Sequence, residues 1–166
     1  MKRIGLLSDT HGYLHPDVLS YFKKVDEIWH AGDIGSVELI EELEAAKPVR
    51  AVFGNIDGRD IYSSYPEHQR FTLEGVKVWM THIGGYPGKY SPGIRSLICK
   101  NPPDLFISGH SHILKVMPDN KLNLLHINPG ACGQQGWHKV KTLVRFSLDQ
   151  GRVKDLEVIE LTRVIR

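Results

Sequence analysis

The sequence predicts an α/β fold in which two β-sheets pack face to face with helices outside. Three observations predict it. Apolar strand-like runs alternate with helical segments at the start of the chain. Turn signatures between apolar runs recur later in the chain. Polar clusters follow the apolar runs instead of scattering along the chain.

Each element has a local reason. Lys2 to Ser8 is a buried strand, because the run Ile4-Gly5-Leu6-Leu7 stops at Ser8-Asp9. His15 to Lys24 is a helix with Pro16 in its first turn. Glu27 to Ala31 is the next strand. Ser36 to Ala46 is a helix, with Ser36 as N-cap and Glu38 near its positive end. Pro48 to Phe53 is a third strand. Two strand–helix–strand units in succession imply a parallel sheet. Phe71 to Leu73 and Val76 to Thr81 then flank Glu74-Gly75, as in a hairpin. Ser91 to Lys100 is a short helix and Asp104 to Ser108 a strand. Leu114 to Met117 and Leu122 to Ile127 flank Asp119-Asn120, a second hairpin. Lys141 to Leu148 and Arg152 to Leu161 flank Asp149-Gln150-Gly151, a third.

Composition narrows the function classes. A chain of 166 residues without repeat or linker suits one domain spanning residues 1–166. Its 41% hydrophobic and 24% charged residues are ordinary for a globular protein. A domain of this size buries roughly 70% of the surface that its unfolded chain exposes, enough to fold without a disulfide or structural metal. The net charge of +2 comes with no Lys/Arg cluster, so nucleic-acid binding is not indicated. Cys99 and Cys132 form no Cys-x-x-Cys pair, which fits a reducing compartment. The apolar run at Ile4 is too short for a signal-peptide core or a membrane span. The expected location is cytoplasmic, with no membrane partner.

The chemistry lies after the strands. The first is followed by Ser8-Asp9-Thr10-His11-Gly12 and the second by Gly32-Asp33. The third is followed by Gly54-Asn55-Ile56-Asp57, and Met80 by Thr81-His82. The strand ending at Ile107 is followed by Ser108-Gly109-His110-Ser111-His112. Ligands of open α/β sheets bind at the carboxyl ends of strands. Any one fragment is weak, since Asp9 could cap a turn, Asn55 could be a turn residue and His82 a packed histidine. The ordered set is the signal: two carboxylates, one amide and four imidazoles. Oxygen and nitrogen donors without thiolate suit Mn, Fe or Zn. Seven protein ligands exceed what one catalytic ion uses. They suffice for two ions if one carboxylate bridges, the clamp used for phosphoryl displacement.

This set resembles the calcineurin-like metallophosphoesterase superfamily, and its Gly-Asn-x-Asp form and short length resemble the small YfcE-like phosphodiesterase branch. The resemblance runs from Ile4 to about Gly130, where Asn128-Pro129-Gly130 matches a further signature. It implies a four-layer αββα sandwich and a dinuclear site. By motif, Asp9, His11, Asp33 and His112 would hold one metal. Asp33, Asn55, His82 and His110 would hold the other, with Asp33 bridging and Asn55 also meeting substrate. Two divalent ions are expected, Mn²⁺ first, with Zn, Fe or Ni as alternatives. Two departures stand out. Many relatives follow the asparagine with a histidine that helps to protonate the leaving group, and here that position is Ile56. Many small relatives read Thr-His-Gly-His, and this chain reads Thr81-His82-Ile83-Gly84.

The expected reaction is in-line attack on a phosphodiester by a metal-bridging hydroxide, so no side chain is assigned as nucleophile. The substrate is expected to be a small-molecule phosphoester, and a homo-oligomer is compatible with the sequence. Two rival readings use the same fold. One is a nuclease or nucleotide phosphohydrolase. The other is a non-catalytic interaction protein like the retromer scaffold subunit, which erosion of the ligands would favour. Outside the motifs, His15, His68, His126 and His138 read as surface or packing residues. His30 reads as a strand histidine, with ligand orientation as the alternative, and Asp57 as a hydrogen-bond partner of a metal ligand, with holding a turn as the alternative. Lys89 lies in a Gly/Pro/Tyr-rich stretch from Ile83 to Gly93, read equally as a gating loop or a surface loop. Arg59 reads as solvated, with contact to a phosphate oxygen as the alternative.

Overall fold

The computed structural model describes residues 1–161. β1 (Lys2–Leu7) leads through the single helical turn α1 (Val18–Tyr21) to β2 (Glu27–His30). The chain continues through α2 (Val37–Ala46), β3 (Val49–Ala51) and α3 (Arg59–Tyr62). β4 (His68–Leu73) and β5 (Val76–Thr81) form a hairpin, followed by the short pair β6 (Gly85–Tyr86) and β7 (Lys89–Tyr90). Then come α4 (Pro92–Lys100), β8 (Leu105–Ile107), β9 (Leu114–Asp119) and β10 (Leu124–Pro129). β11 (Lys141–Asp149) and β12 (Arg152–Leu161) close the order.

Two five-stranded mixed sheets result, in the orders β12-β11-β1-β2-β3 and β4-β5-β8-β10-β9. β1, β2 and β3 run parallel in the first sheet, and β5, β8 and β10 in the second. Period-two alternation then sorts the side chains. Ile4, Leu6, Trp29, Val144 and Phe146 of the first sheet meet Val78, Met80, Leu105 and Ile127 of the second in one buried core. Leu7, Ile28 and Leu143 turn the other way and pack with Val18, Leu39, Ile40 and Leu43 of the helices. On the far side, Trp79 and Phe106 pack with Ile94 and Ile98 of α4. Three cores between four layers make the expected αββα sandwich. No helix among the described residues is long and apolar enough to cross a membrane.

Several expectations need correction. The helix expected over His15 to Lys24 is one turn, Val18–Tyr21. After it, backbone bonds tighten to the three-residue spacing of Lys23 N–H to Ser20 and Val25 N–H to Phe22. This winding carries the Phe22 ring onto β1 at Gly5, where any Cβ would meet the ring carbons at 2.5–2.8 Å. The turn between β9 and β10 does not centre on Asp119-Asn120. Asp119 ends β9, and its Oδ1 accepts from the N–H groups of Lys121 and Leu122, so the tip shifts toward Asn123, whose φ is 53°. The third strand is shorter than Pro48 to Phe53, and α3 and the β6–β7 pair were not foreseen. α2 starts as expected, with Ser36 Oγ accepting from Leu39 N–H at 3.2 Å.

Candidate metal centre

Five strands deliver the site. Asp9 and His11 follow β1, Asp33 follows β2, Asn55 follows β3, His82 follows β5, and His110 and His112 follow β8. Because these strands are parallel within their sheets, their carboxyl ends share one edge of the sandwich. Asp9, His11 and His112 come together there, with one ligand atom each within 4.8 Å of the others. Asp33, His82 and His110 form a second group on the same criterion. Asn55 stands beside the second, its Oδ1 3.0 Å from His110 Nδ1.

Each carboxylate has one oxygen engaged and one left over. Asp9 Oδ2 accepts from Ser8 Oγ at 2.6 Å and from His110 N–H at 3.1 Å. Asp9 Oδ1 is buried without a hydrogen-bond partner and lies 3.1 Å from His112 Nε2. Asp33 Oδ1 accepts from Ile56 N–H at 3.1 Å. Asp33 Oδ2 lies 3.4 Å from His11 Nε2 and 3.2 Å from His82 Nε2, facing both groups. His82 donates Nδ1–H to the Ala31 carbonyl at 2.8 Å, which turns the Nε2 lone pair into the site. His11 Nε2 and His82 Nε2 are buried without partners. Such orphaned atoms are costly unless something pairs them. A cation pairs all of them at once, so the donor set fits divalent metal.

The electrostatics point the same way. Burial opposes ionisation of Asp9, yet His11, His112, His82 and Ser8 overcome it and hold its carboxyl well below the ordinary range. Asp33 is also depressed, since His82 and the Ile56 N–H outweigh its burial. Asp9 raises the pKa of His11. His82 is raised too, because Asp33 and Asp9 outweigh its desolvation.

The backbone is bent to make this set. Asp9, His11, Asp33, His110 and His112 all have left-handed φ angles, between 48° and 72°. Such residues cost roughly 1–3 kcal/mol each and persist where surrounding structure over-determines them. Glycine provides the close approaches: a Cβ at Gly54 would collide with the Asp33 carboxylate, and one at Gly109 with Ser8 Oγ.

Other residues brace these loops. Asp57 bonds no ligand side chain, and the second of its two readings, holding a turn, is the one that fits. Its carboxylate accepts from the N–H groups of Ile34 at 3.0 Å, Gly35 at 2.8 Å and Gly54 at 2.9 Å, tying the Asp33 loop to the Asn55 loop. His30 accepts from Gly32 N–H at Nδ1, so its Nε2–H donates to Thr10 Oγ1 at 2.9 Å. Burial pushes its pKa down to about 4, and it stays neutral. Asn128 donates to the Gly109 carbonyl and to Ser111 Oγ, both at 3.1 Å, bracing the loop of His110 and His112. His138 packs edge-on against His112 with centroids 5.3 Å apart. Its position in a Gly/Gln-rich loop carried no signal of this. His15 and His126 are buried, and His68 Nδ1 accepts from Trp79 Nε1–H. Arg59 and Lys89 are exposed. Ile83, Ser91, Pro92 and Gly93 line a cavity beside His82, so the stretch containing Lys89 borders the site.

The comparisons agree with this geometry. Residues 1–151 match the calcineurin-like phosphoesterase superfamily domain. A probable metallophosphoesterase of Methanothermobacter thermautotrophicus is 33% identical over 135 residues, covering 77% of this chain and 76% of that protein. The solved structure of an archaeal phosphodiesterase superposes with a TM-score of 0.75 at 25% identity, over 96% of this chain and 99% of that one. Vps29 of Chaetomium thermophilum shares the fold, with a TM-score of 0.75 at 14% identity over 97% of both chains. On its sequence match, its layers and the donors at its strand ends, this chain belongs to the calcineurin-like phosphoesterase superfamily.

Proposed function

We propose that this protein is a phosphodiesterase that works with two divalent metal ions, Mn²⁺ first among them. The observation that carries the proposal is the pair of donor groups joined through Asp33 Oδ2. Asp9, His11 and His112 would hold one ion and His82, His110 and Asn55 the other, with Asp33 shared. The ions would supply an activated water as nucleophile and neutralise phosphate oxygens as charge shifts in the transition state.

The chain's own residues do the rest. Ser8 Oγ–H and the His110 N–H hold Asp9, and the Ile56 N–H holds Asp33, so each carboxylate keeps one oxygen aimed inward. His82 is locked by Ala31 in the tautomer that presents Nε2. Asn55 stands at the open side, where its amide can also meet a phosphate oxygen. Ile56 brings no transferable proton, so expulsion of the leaving group depends on its own acidity. The likeness to Vps29 extends to the fold, whereas the seven donors here are intact, which favours catalysis over a scaffold role. We read residues 1–166 as one catalytic domain.

The test is metal-dependent hydrolysis of bis(4-nitrophenyl) phosphate by purified protein. Chelation should abolish activity, and Mn²⁺ should restore it best, with up to two ions bound per chain. Full activity in rigorously metal-free protein overturns the proposal.

A further inference from the structure

A cavity of about 500 Å³ opens directly beside the metal centre and has Asn55 and His82 in its wall. Its size lies within the range of about 300–1,000 Å³ typical of small-molecule sites. Phe53, Ile83, Pro92 and Ile94 make its lining largely apolar. The one carboxylate on its wall is Glu67, and no lysine or arginine lines it. A nucleic-acid backbone or a polyphosphate needs cations along its track, and this wall offers the opposite sign.

The residues next to the donors repeat the pattern. Asn55, His82 and His112 are each followed by an exposed isoleucine: Ile56 at 48%, Ile83 at 45% and Ile113 at 61% relative exposure. Three separate loops thus place an aliphatic side chain next to a metal-binding donor. Beyond His112, Ile113 and the fully exposed Trp137 line a second hollow of about 390 Å³. Isolated exposed apolar residues are ordinary, but three of them, each the next residue after a donor of one centre, mark a binding surface.

We infer that the cavity beside Asn55 and His82 is the subsite for an apolar, ring-sized substituent of the diester, an inference that rests on the phosphodiesterase reading. A phosphate seated at the donor groups has one ester arm within direct reach of the cavity. The substrate class is therefore a diester with an apolar or aromatic arm, not a polynucleotide.

Two diesters with the same 4-nitrophenyl leaving group test this, one retaining a methyl group and the other a benzyl group. The Mn²⁺-loaded wild type should prefer the benzyl ester in kcat/KM by about tenfold or more, the scale of discrimination that apolar pockets give. Gly93→Trp fills the cavity from a position where a Cβ meets nothing within 4 Å. It should erase the preference by slowing the benzyl ester, and hold the methyl ester within about twofold of wild type, which also reports an intact fold. Equal use of the two esters by wild type, or a preference that survives in Gly93→Trp, overturns the subsite. Hydrolysis of neither ester counts against the phosphodiesterase reading instead. The subsite is then measured by calorimetry with benzyl phenylphosphonate, which should bind the Mn²⁺-loaded wild type more tightly than Gly93→Trp. Equal binding would overturn the inference.

Discussion

Asp33 Oδ2 lies 3.4 Å from His11 Nε2, and that contact links a donor group built after β1 and β8 to one built after β2, β5 and β8. Asp33 should therefore matter to both ions. Asp33→Asn should lose more bound metal than His112→Ala, and activity should fall by orders of magnitude. The metal-free fold should be almost unchanged, because asparagine tolerates the left-handed φ of 55° at this position. Metal analysis, kinetics and thermal melts of the chelated proteins check this. Wild-type metal content in Asp33→Asn would remove the bridging role.

Metal affinity should rise with pH. Asp9 raises His11, and Asp33 and Asp9 raise His82 against its desolvation, so both imidazoles keep their protons above the ordinary 6.5 in the metal-free protein. Metal needs them neutral. Each displaced proton adds up to about tenfold in affinity per pH unit below the raised pKa. The metal-free protein follows the opposite sign. Its histidine contribution is complete below 6.5 and is lost as pH rises through the raised values. The contribution of Asp9 and Asp33 is complete above 3.8 and is lost as pH falls through their depressed values. Titration calorimetry and melts across pH test both signs, and an affinity flat from about pH 6 to 8 contradicts the first.

Asp57→Ala should weaken the site without changing the chemistry. Three N–H groups lose their acceptor, those of Ile34, Gly35 and Gly54, and the first and last belong to buried residues. Each buried donor left unpaired costs about 1–3 kcal/mol. The melting temperature and metal affinity should both drop, since the Asp33 and Asn55 loops come apart. At saturating metal, the dependence of rate on leaving-group pKa should keep its slope. A changed slope would assign Asp57 a role in proton transfer.

The leaving group should govern the rate. A positioned general acid typically contributes about 10²–10⁴-fold, and Ile56 cannot act as one. Aryl diesters should be cleaved much faster than alkyl diesters and faster than the matching aryl monoesters. A leaving-group series at saturating metal measures this. Equal rates for aryl and alkyl esters would reveal a proton donor elsewhere, and a preference for monoesters would overturn the diesterase reading.

Much of this architecture is local and therefore legible. Apolar runs such as Ile4 to Leu7 end at polar clusters, and hairpin signatures such as Glu74-Gly75 sit where the chain reverses, with φ of 51° and 78°. The seven candidate donors could be singled out because each lies within a few residues of the strand that presents it. What could not be read depends on distant partners. α1 is cut to one turn because Phe22 must lie on Gly5, a contact between two elements. Asp57 and Asn128 act by bonding backbone groups of other loops and His30 by bonding the Thr10 hydroxyl, and their own neighbours in sequence do not announce this.

By itself, then, the sequence determined the strands of the two large sheets, their order of appearance and the chemical types at their ends, because hydrophobic periodicity and turn chemistry act over a few residues. Only the tertiary structure decided that Asp9 and Asp33 each turn one oxygen inward, that His138 packs on His112, and that an apolar cavity opens beside Asn55 and His82. Those features arise where two sheets meet, and packing between segments far apart in the chain sets them.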